Sequence, residues 1–219
     1  YCSTPRIEGR ARRWRSPERV AEEVARLADL GVRRLHFVDN TFNLPPAYAL
    51  DLCRRLTTLG RELEWRCIVY PHAVSDELVD AMAAAGCTEV SIGSESGCDR
   101  ILESLNKRFT ADEVREVTRK FAVAGIATMG FLMLGVPGET RESVAESLDF
   151  ASSLELSSLK ITIGARIYPH TPLAEQAVEA GVIAPDDDLL RPRFYLEPGI
   201  EGWVEEAVTS HGWTMPVIT

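Results

Sequence analysis

Five short polar segments hold most of the side chains in this chain that could do chemistry. They are Asp39-Asn40-Thr41-Phe42-Asn43, Pro71-His72, Gly93-Ser94-Glu95-Ser96-Gly97, Gly135-Val136-Pro137-Gly138-Glu139-Thr140 and Ala165-Arg166-Ile167-Tyr168-Pro169. Asp39, Asn40 and Glu95 offer hydrogen-bond acceptors. Lys107, Arg108 and Arg166 are cations suited to a carboxylate, arginine especially because its fork binds both oxygens. Gly135 and Gly138 strip side chains from a turn, so a ligand could approach its backbone. Each feature also has a plainer explanation. Asp39 and Asn40 fit an Asx turn, Glu95 fits a helix N-terminus, Lys107 and Arg108 fit solvated surface charge, and Arg166 fits the outside of a strand. Cys2, behind Tyr1 at the start of the chain, reads by itself as a small hydrophobe or an ordinary thiol.

The elements that must position these segments follow one grammar. Ser16-Pro17-Glu18 supplies an N-cap, a first-turn proline and an acidic residue ahead of Val20, Val24, Leu27 and Leu30, and Gly31 stops the helix. A strand, Leu35 to Val38, follows. The pattern repeats as helix 46–59, strand 65–70, helix 75–85, strand 89–93, a helix opened by the capping box Thr110-Ala111-Asp112-Glu113 and ended near Gly125, strand 126–134, helix 141–154 and strand 159–163. Thr171-Pro172 opens a last helix that Gly181 stops. Five strands alternating with helices imply parallel pairing and right-handed crossovers, in a barrel or a doubly wound sheet. In either, the polar segments fall at the carboxyl ends of the strands, where chemistry belongs.

Composition narrows the function classes. With 219 residues, 45% of them hydrophobic, one large domain can bury a sizeable core. The net charge of −9 argues against general nucleic-acid or anionic-membrane binding. Locally the balance reverses, because six arginines lie between residues 6 and 19; they suit an anionic substrate, a partner domain's phosphate-bearing cofactor or simply a solvated face. No apolar run approaches the roughly 18 residues of a membrane span, and no leader precedes a cleavage site. Five cysteines at wide spacing suit a reducing compartment better than a disulfide framework, so the expected location is cytoplasmic. Cys53, Cys67, Cys87 and Cys98 read as structural. His36 and His72 lack a partner at ligand spacing, and neither a Ser-His-Asp constellation nor a phosphate-binding Walker loop is evident.

Taken in order, the rim segments resemble those of the radical SAM superfamily, in the branch often fused to a cobalamin-binding domain. Tyr1-Cys2 resembles the end of that family's CxxxCxxC cluster motif, and Phe37 to Phe42 its loop after the second strand. Ser91 to Gly97, with Ile101-Leu102 and Leu105-Asn106-Lys107, resembles the fourth-strand segment. Gly130 to Thr140 resembles the fifth strand and its turn, and Tyr168 to Leu173 the exit of the sixth. The resemblance runs from residue 1 to about residue 183. It departs from the family in lacking the first two cluster cysteines, which should lie within about a dozen residues upstream.

The resemblance implies an α/β fold: a partial (β/α)6 barrel of the radical SAM type, with the first strand and most of the cluster loop missing. Residues 1–183 would be the core, strands two to six, and residues 184–219 an irregular C-terminal extension. It implies a 4Fe-4S cluster with Cys2 as one ligand, S-adenosylmethionine, and cobalamin held by an upstream domain. The partners would be a small-molecule substrate and a reductant such as flavodoxin or ferredoxin, with no nucleic acid or membrane. Asp39, Asn40 and Thr41 would meet the methionine ammonium, Glu95 the ribose hydroxyls, Lys107 or Arg108 the methionine carboxylate and Gly135 the adenine, with Arg166 at the cavity. The activity implied is reductive cleavage of S-adenosylmethionine to drive C-methylation or a rearrangement. The alternatives are a methylthiotransferase, a cluster-free (β/α) barrel lyase, for which no strand offers an obvious catalytic lysine, and a non-catalytic scaffold.

Overall fold

A computed structural model describes residues 1–9, 11 and 13–213. Five parallel strands form one sheet in the order β1-β2-β3-β4-β5: β1 (Arg34–His36), β2 (Glu64–Val69), β3 (Cys87–Glu95), β4 (Ala127–Leu134) and β5 (Ser158–Ile163). Successive neighbours in sequence are neighbours in space. Among the described residues β1 and β5 do not pair with each other, so the sheet is open.

The helices arise where their caps predict. α2 (Pro17–Asp29) has the Ser16 hydroxyl on the Arg19 N–H. α3 (Pro46–Thr58) and α4 (Asp76–Ala84) follow, the latter capped by Ser75. α6 (Ala111–Val123) carries the full Thr110/Glu113 capping box, and in α7 (Arg141–Ser153) Thr140 and Ser143 cap each other in the same way. α8 (Pro172–Glu179) is capped by Thr171. Gly86 ends α4 for a steric reason as well as a conformational one. At its φ of +90° a Cβ would lie 2.1 Å from the Leu63 carbonyl oxygen, so the turn into β3 admits only glycine.

Strand alternation divides the sheet into two faces. Trp65, Cys67 and Val69 of β2 and Val90 and Ile92 of β3 are buried with Leu52, Leu56, Leu78, Met82, Val114 and Phe121 of the covering helices. Each such side chain contributes roughly 1.5–3 kcal/mol. The other face, carrying Arg66, Ile68, Glu89, Ser91, Met129, Phe131 and Thr162, lines a cavity of about 650 Å³. A core on one side and an open concave face on the other is what a barrel wall requires.

Several elements depart from the sequence expectation. A short helix, α1 (Thr4–Ile7), runs into the arginine-rich stretch, and the segment after β3 forms α5 (Asp99–Ser104). The extension 184–219 is not irregular throughout its described part. It contains β7 (Arg193–Tyr195), antiparallel to β6 (Ala165–Ile167), and α9 (Trp203–Ser210), which packs on α7. Val204, Ala207 and Val208 share a buried cluster with Val144 and Leu148 of α7 and with Leu132 and Leu134 of β4; this burial outweighs the weak local signals of α9. Arg10, Arg12 and the residues after Trp213 lie outside the described residues. No described helix is long and apolar enough to cross a membrane.

Candidate functional site

At the carboxyl end of β3 three side chains far apart in sequence converge. Glu95 Oε1 accepts from Lys107 Nζ at 2.8 Å and from the Tyr1 hydroxyl at 3.1 Å. The ammonium also stands 5.4 Å from the Tyr1 ring centroid, within cation–π range. Glu95 and Lys107 are only 15% and 17% exposed, so their attraction is poorly screened by water. Burial raises the Tyr1 phenol to about 12, and the Glu95 carboxylate adds to that rise. For Lys107, burial works downward, but Glu95 and Tyr1 outweigh it and the ammonium is held above its ordinary value.

The backbone here is distorted to present Glu95. Its φ is +60°, a conformation costly for a residue with a Cβ. The β3–β4 register slips between Gly93 and Glu95, and a Cβ on Gly93 would stand 2.7 Å from Glu95 Oε1. The bulge and the glycine together turn the carboxylate along the open face of the sheet. The cavity there is bounded by Tyr1, His36, Glu95, Arg166, Tyr168 and Phe194 over a floor of Met129, Phe131 and Met133. The Arg166 guanidinium stacks over Tyr168 at 4.8 Å, and among the described residues no carboxylate pairs with it.

A second cleft, about 770 Å³, opens on the other side of Tyr1 and includes Cys2, Arg6, Tyr70, Asn106, Lys107 and Gly138. Cys2 is exposed, whereas Cys53, Cys67 and Cys87 are buried and Cys98 is half-buried. Burial pushes the Cys53 thiol up to about 12. A hydrogen bond with Cys87, then burial, raises Cys67 still further. These are inert structural thiols.

The other sequence candidates are placed apart. β1 ends at His36, and Phe37 turns in to pack on Phe42 and Trp65. Asp39, Asn40 and Thr41 consequently leave at the sheet edge and line a groove with Arg13 and Trp14, not the cavity that holds Glu95. Asn40 Nδ2 donates to Glu8 Oε2 at 3.3 Å. Arg108 is exposed, with its backbone N–H on the Tyr70 hydroxyl at 2.9 Å. Gly135 is buried at φ +84°, and its missing Cβ is replaced by Leu196 Cδ1, 2.2 Å from where that Cβ would be. His72 Nδ1 pairs with Glu113 Oε1 at 2.8 Å.

Sequence reasoning gave no role to Tyr1 itself, to Phe194 or to Glu139. Glu139 Oε2 accepts from the N–H groups of Gly135 and Val136, while its buried Oε1 has no partner among the described residues. Burial raises this carboxyl to about 7 against the opposing pull of those two amides and Arg100. The period-two run Met129, Phe131, Met133 was the available signal for the cavity floor. Phe194 gave none, because it is set in place by the β6–β7 pairing.

The concave face fits an adenosyl group. Its volume suits a small ligand, and the Gly93–Glu95 bulge places an acceptor at its rim, the Glu95 carboxylate occupying the space that a Gly93 side chain would need. Cys2 fits as one soft thiolate ligand of an iron-sulfur cluster. Among the described residues no group of three metal-ligating side chains gathers.

The radical SAM superfamily profile matches residues 1–151. An uncharacterized methyltransferase of Pyrococcus horikoshii is 32% identical over 179 residues, 81% of this chain and 39% of that protein. A tryptophan 2-C-methyltransferase of Streptomyces laurentii is 25% identical over 193 residues, 82% of this chain and 32% of that protein. Methylthiotransferases that modify tRNA and a ribosomal protein also match, at 31% and 30% identity. Among solved structures, the radical S-adenosylmethionine methyltransferase TsrM of Kitasatospora setae, with cobalamin and a 4Fe-4S cluster bound, superposes with a TM-score of 0.77. It is 26% identical, and the match covers 90% of this chain and 46% of that one. The chain spans about two fifths of the first of these relatives. The family match and the fold agree, and the chain belongs to the radical SAM superfamily.

Proposed function

We propose that the chain is the S-adenosylmethionine-binding core of a cytoplasmic radical enzyme that methylates a carbon atom of a small molecule. An upstream domain would hold cobalamin, and flavodoxin or ferredoxin would supply electrons. The observation that carries this reading is the Tyr1–Glu95 hydrogen bond. It places the exposed Cys2 thiol one residue from a side chain bonded to the carboxylate at the end of β3.

When bound, the cluster supplies one electron to cleave the sulfonium, and cobalamin supplies a carrier for the methyl group. The protein's own residues bind, orient and exclude water. Glu95 accepts from the ribose hydroxyls, its carboxylate held in place by Lys107 and Tyr1. Arg166, unpaired among the described residues, is free to hold the methionine carboxylate, for which its fork is suited. Arg108, exposed and lining neither of the clefts described above, is the weaker candidate for that role. Asp39, Asn40 and Thr41 meet the methionine ammonium only if the loop after β1 moves toward the Cys2 cleft. Met129, Phe131, Met133 and Phe194 make an apolar wall that keeps water from a reactive centre.

The test is anaerobic reconstitution of the full-length protein, iron and sulfide counting, and assay for 5′-deoxyadenosine with dithionite and S-adenosylmethionine. A fully loaded cluster with no turnover of S-adenosylmethionine would overturn the proposal. The methylthiotransferase relatives favour a second reading, which product mass spectrometry separates by the presence of an added sulfur.

A further inference from the structure

The β4–α7 turn, residues 135–138, cannot satisfy its own backbone. Glu139 takes the N–H groups of Gly135 and Val136, which leaves the Gly135 carbonyl and the Gly138 N–H to find partners elsewhere. Both partners come from one residue of the C-terminal extension. The Glu197 N–H donates to the Gly135 carbonyl at 2.9 Å, and Glu197 Oε2 accepts from the Gly138 N–H at 2.8 Å. The same oxygen accepts from the Tyr195 hydroxyl at 2.9 Å, which fixes the carboxylate. From the far side Arg100 donates to the Gly138 carbonyl at 2.9 Å. Leu196 fills the space that a Gly135 side chain would need.

The segment that does this is itself held rigidly. Ala165, Arg166 and Ile167 pair with Tyr195, Phe194 and Arg193. Gly164 admits the crossing because a Cβ there would lie 3.0 Å from the Tyr195 carbonyl oxygen. Successive residues therefore have separate tasks: Phe194 lines the sheet-face cavity, Tyr195 is buried, Leu196 covers Gly135 and Glu197 ties Gly138.

We infer that residues 194–197 are a strap that sets the shape of the turn whose Pro137 and Gly138 line the Cys2 cleft, and so the fit of S-adenosylmethionine between that cleft and the sheet-face cavity, with Glu197 as the positioning residue. This rests on the function proposed above. The strap touches only the backbone of a turn at the wall of the Cys2 cleft, so it acts on the shape of the site rather than on any reacting atom. Its loss should weaken binding of the adenosyl group and leave the chemical step largely intact.

The test uses the reconstituted full-length protein, S-adenosylhomocysteine as a calorimetric probe, and steady-state 5′-deoxyadenosine formation. Glu197→Ala should weaken probe binding and raise KM for S-adenosylmethionine about tenfold, as expected for one charge-assisted bond, with kcat within about twofold. Glu197→Gln, which keeps an acceptor for Gly138, should recover most of the loss. Unchanged probe affinity in folded Glu197→Ala, or a fall in kcat with KM unchanged, overturns the inference. If Glu197→Ala does not fold, Tyr195→Phe decides: probe binding about two- to threefold weaker supports the strap, and unchanged binding sinks it. Failure of the underlying functional reading looks different, since the unaltered protein would then neither bind the probe nor cleave S-adenosylmethionine.

Discussion

The Glu95–Lys107 pair is mostly buried, and removing one partner of such a pair leaves the other charge without compensation. Lys107→Met should cost about 2–3 kcal/mol in urea denaturation, at the low end for buried pairs because some solvent reaches both groups. Adding Glu95→Gln should recover much of that, and a double-mutant cycle with independent, additive effects would show that the pair is not coupled. Glu139 acts with the opposite sign. Its folded value of about 7 lies above the ordinary 4.5, so between those pH values the folded chain holds the extra proton. Stability should be greatest below the lower value and fall as pH rises through the higher one, by up to about 3 kcal/mol. Glu139→Gln should flatten that part of a thermal-melt pH profile; a slope identical to that of the unaltered protein would refute the assignment. Residue identity made Glu95 and Arg166 visible in the sequence as candidates. It could not show that Lys107 is bound to Glu95 while Arg108 faces solvent, because that depends on the positive φ of Asn106 and on the Tyr1 ring.

Helix and strand positions were legible where local chemistry dictated them. Ser16, Ser75, Thr110 and Thr171 each cap the helix expected of them, and glycines stop these helices at the expected places. Thr110→Ala should therefore lose about 1 kcal/mol by chemical denaturation, and no measurable loss would mean the box is redundant. Elements whose existence depends on distant partners were not legible. β7 is three residues long and forms because β6 lies beside it, and α9 follows a chain reversal at Gly202 with a φ of +71°. Close approach is equally invisible in sequence. A Cβ on Gly97 would fall 2.4 Å from Phe150 Cβ, where Ser147 Oγ also accepts the Gly97 N–H at 3.0 Å. Gly97→Ala should push α7 from the loop after β3, cost about 1–3 kcal/mol as overpacking does, and weaken S-adenosylhomocysteine binding through displaced Glu95. Full stability and full affinity in that variant would show that the loop and α7 are not packed as described.

For the whole molecule, the distribution of thiols sets a limit on what the 219 residues can do alone. A cluster that leaves one iron open needs three thiolates, yet only Cys2 of the five cysteines is exposed. Cys53, Cys67 and Cys87 belong to the core between β2, β3 and their covering helices, so recruiting them would unfold the sheet that forms the cavity. The sheet and both clefts can form without the cluster, since the contacts that hold them are hydrophobic burial and hydrogen bonds within the described residues. Binding of the adenosyl group and loading of iron should therefore be separable. Expressed alone, the chain should give a folded α/β circular-dichroism spectrum and weak S-adenosylhomocysteine binding but substoichiometric iron after anaerobic reconstitution. In the full-length protein, Cys2→Ser should abolish iron loading while leaving the thermal midpoint within a few degrees. Stoichiometric iron in the isolated chain, or an intact cluster in the Cys2→Ser protein, would show that the thiolate at the Tyr1–Glu95 junction is not the ligand that joins the two halves of the site.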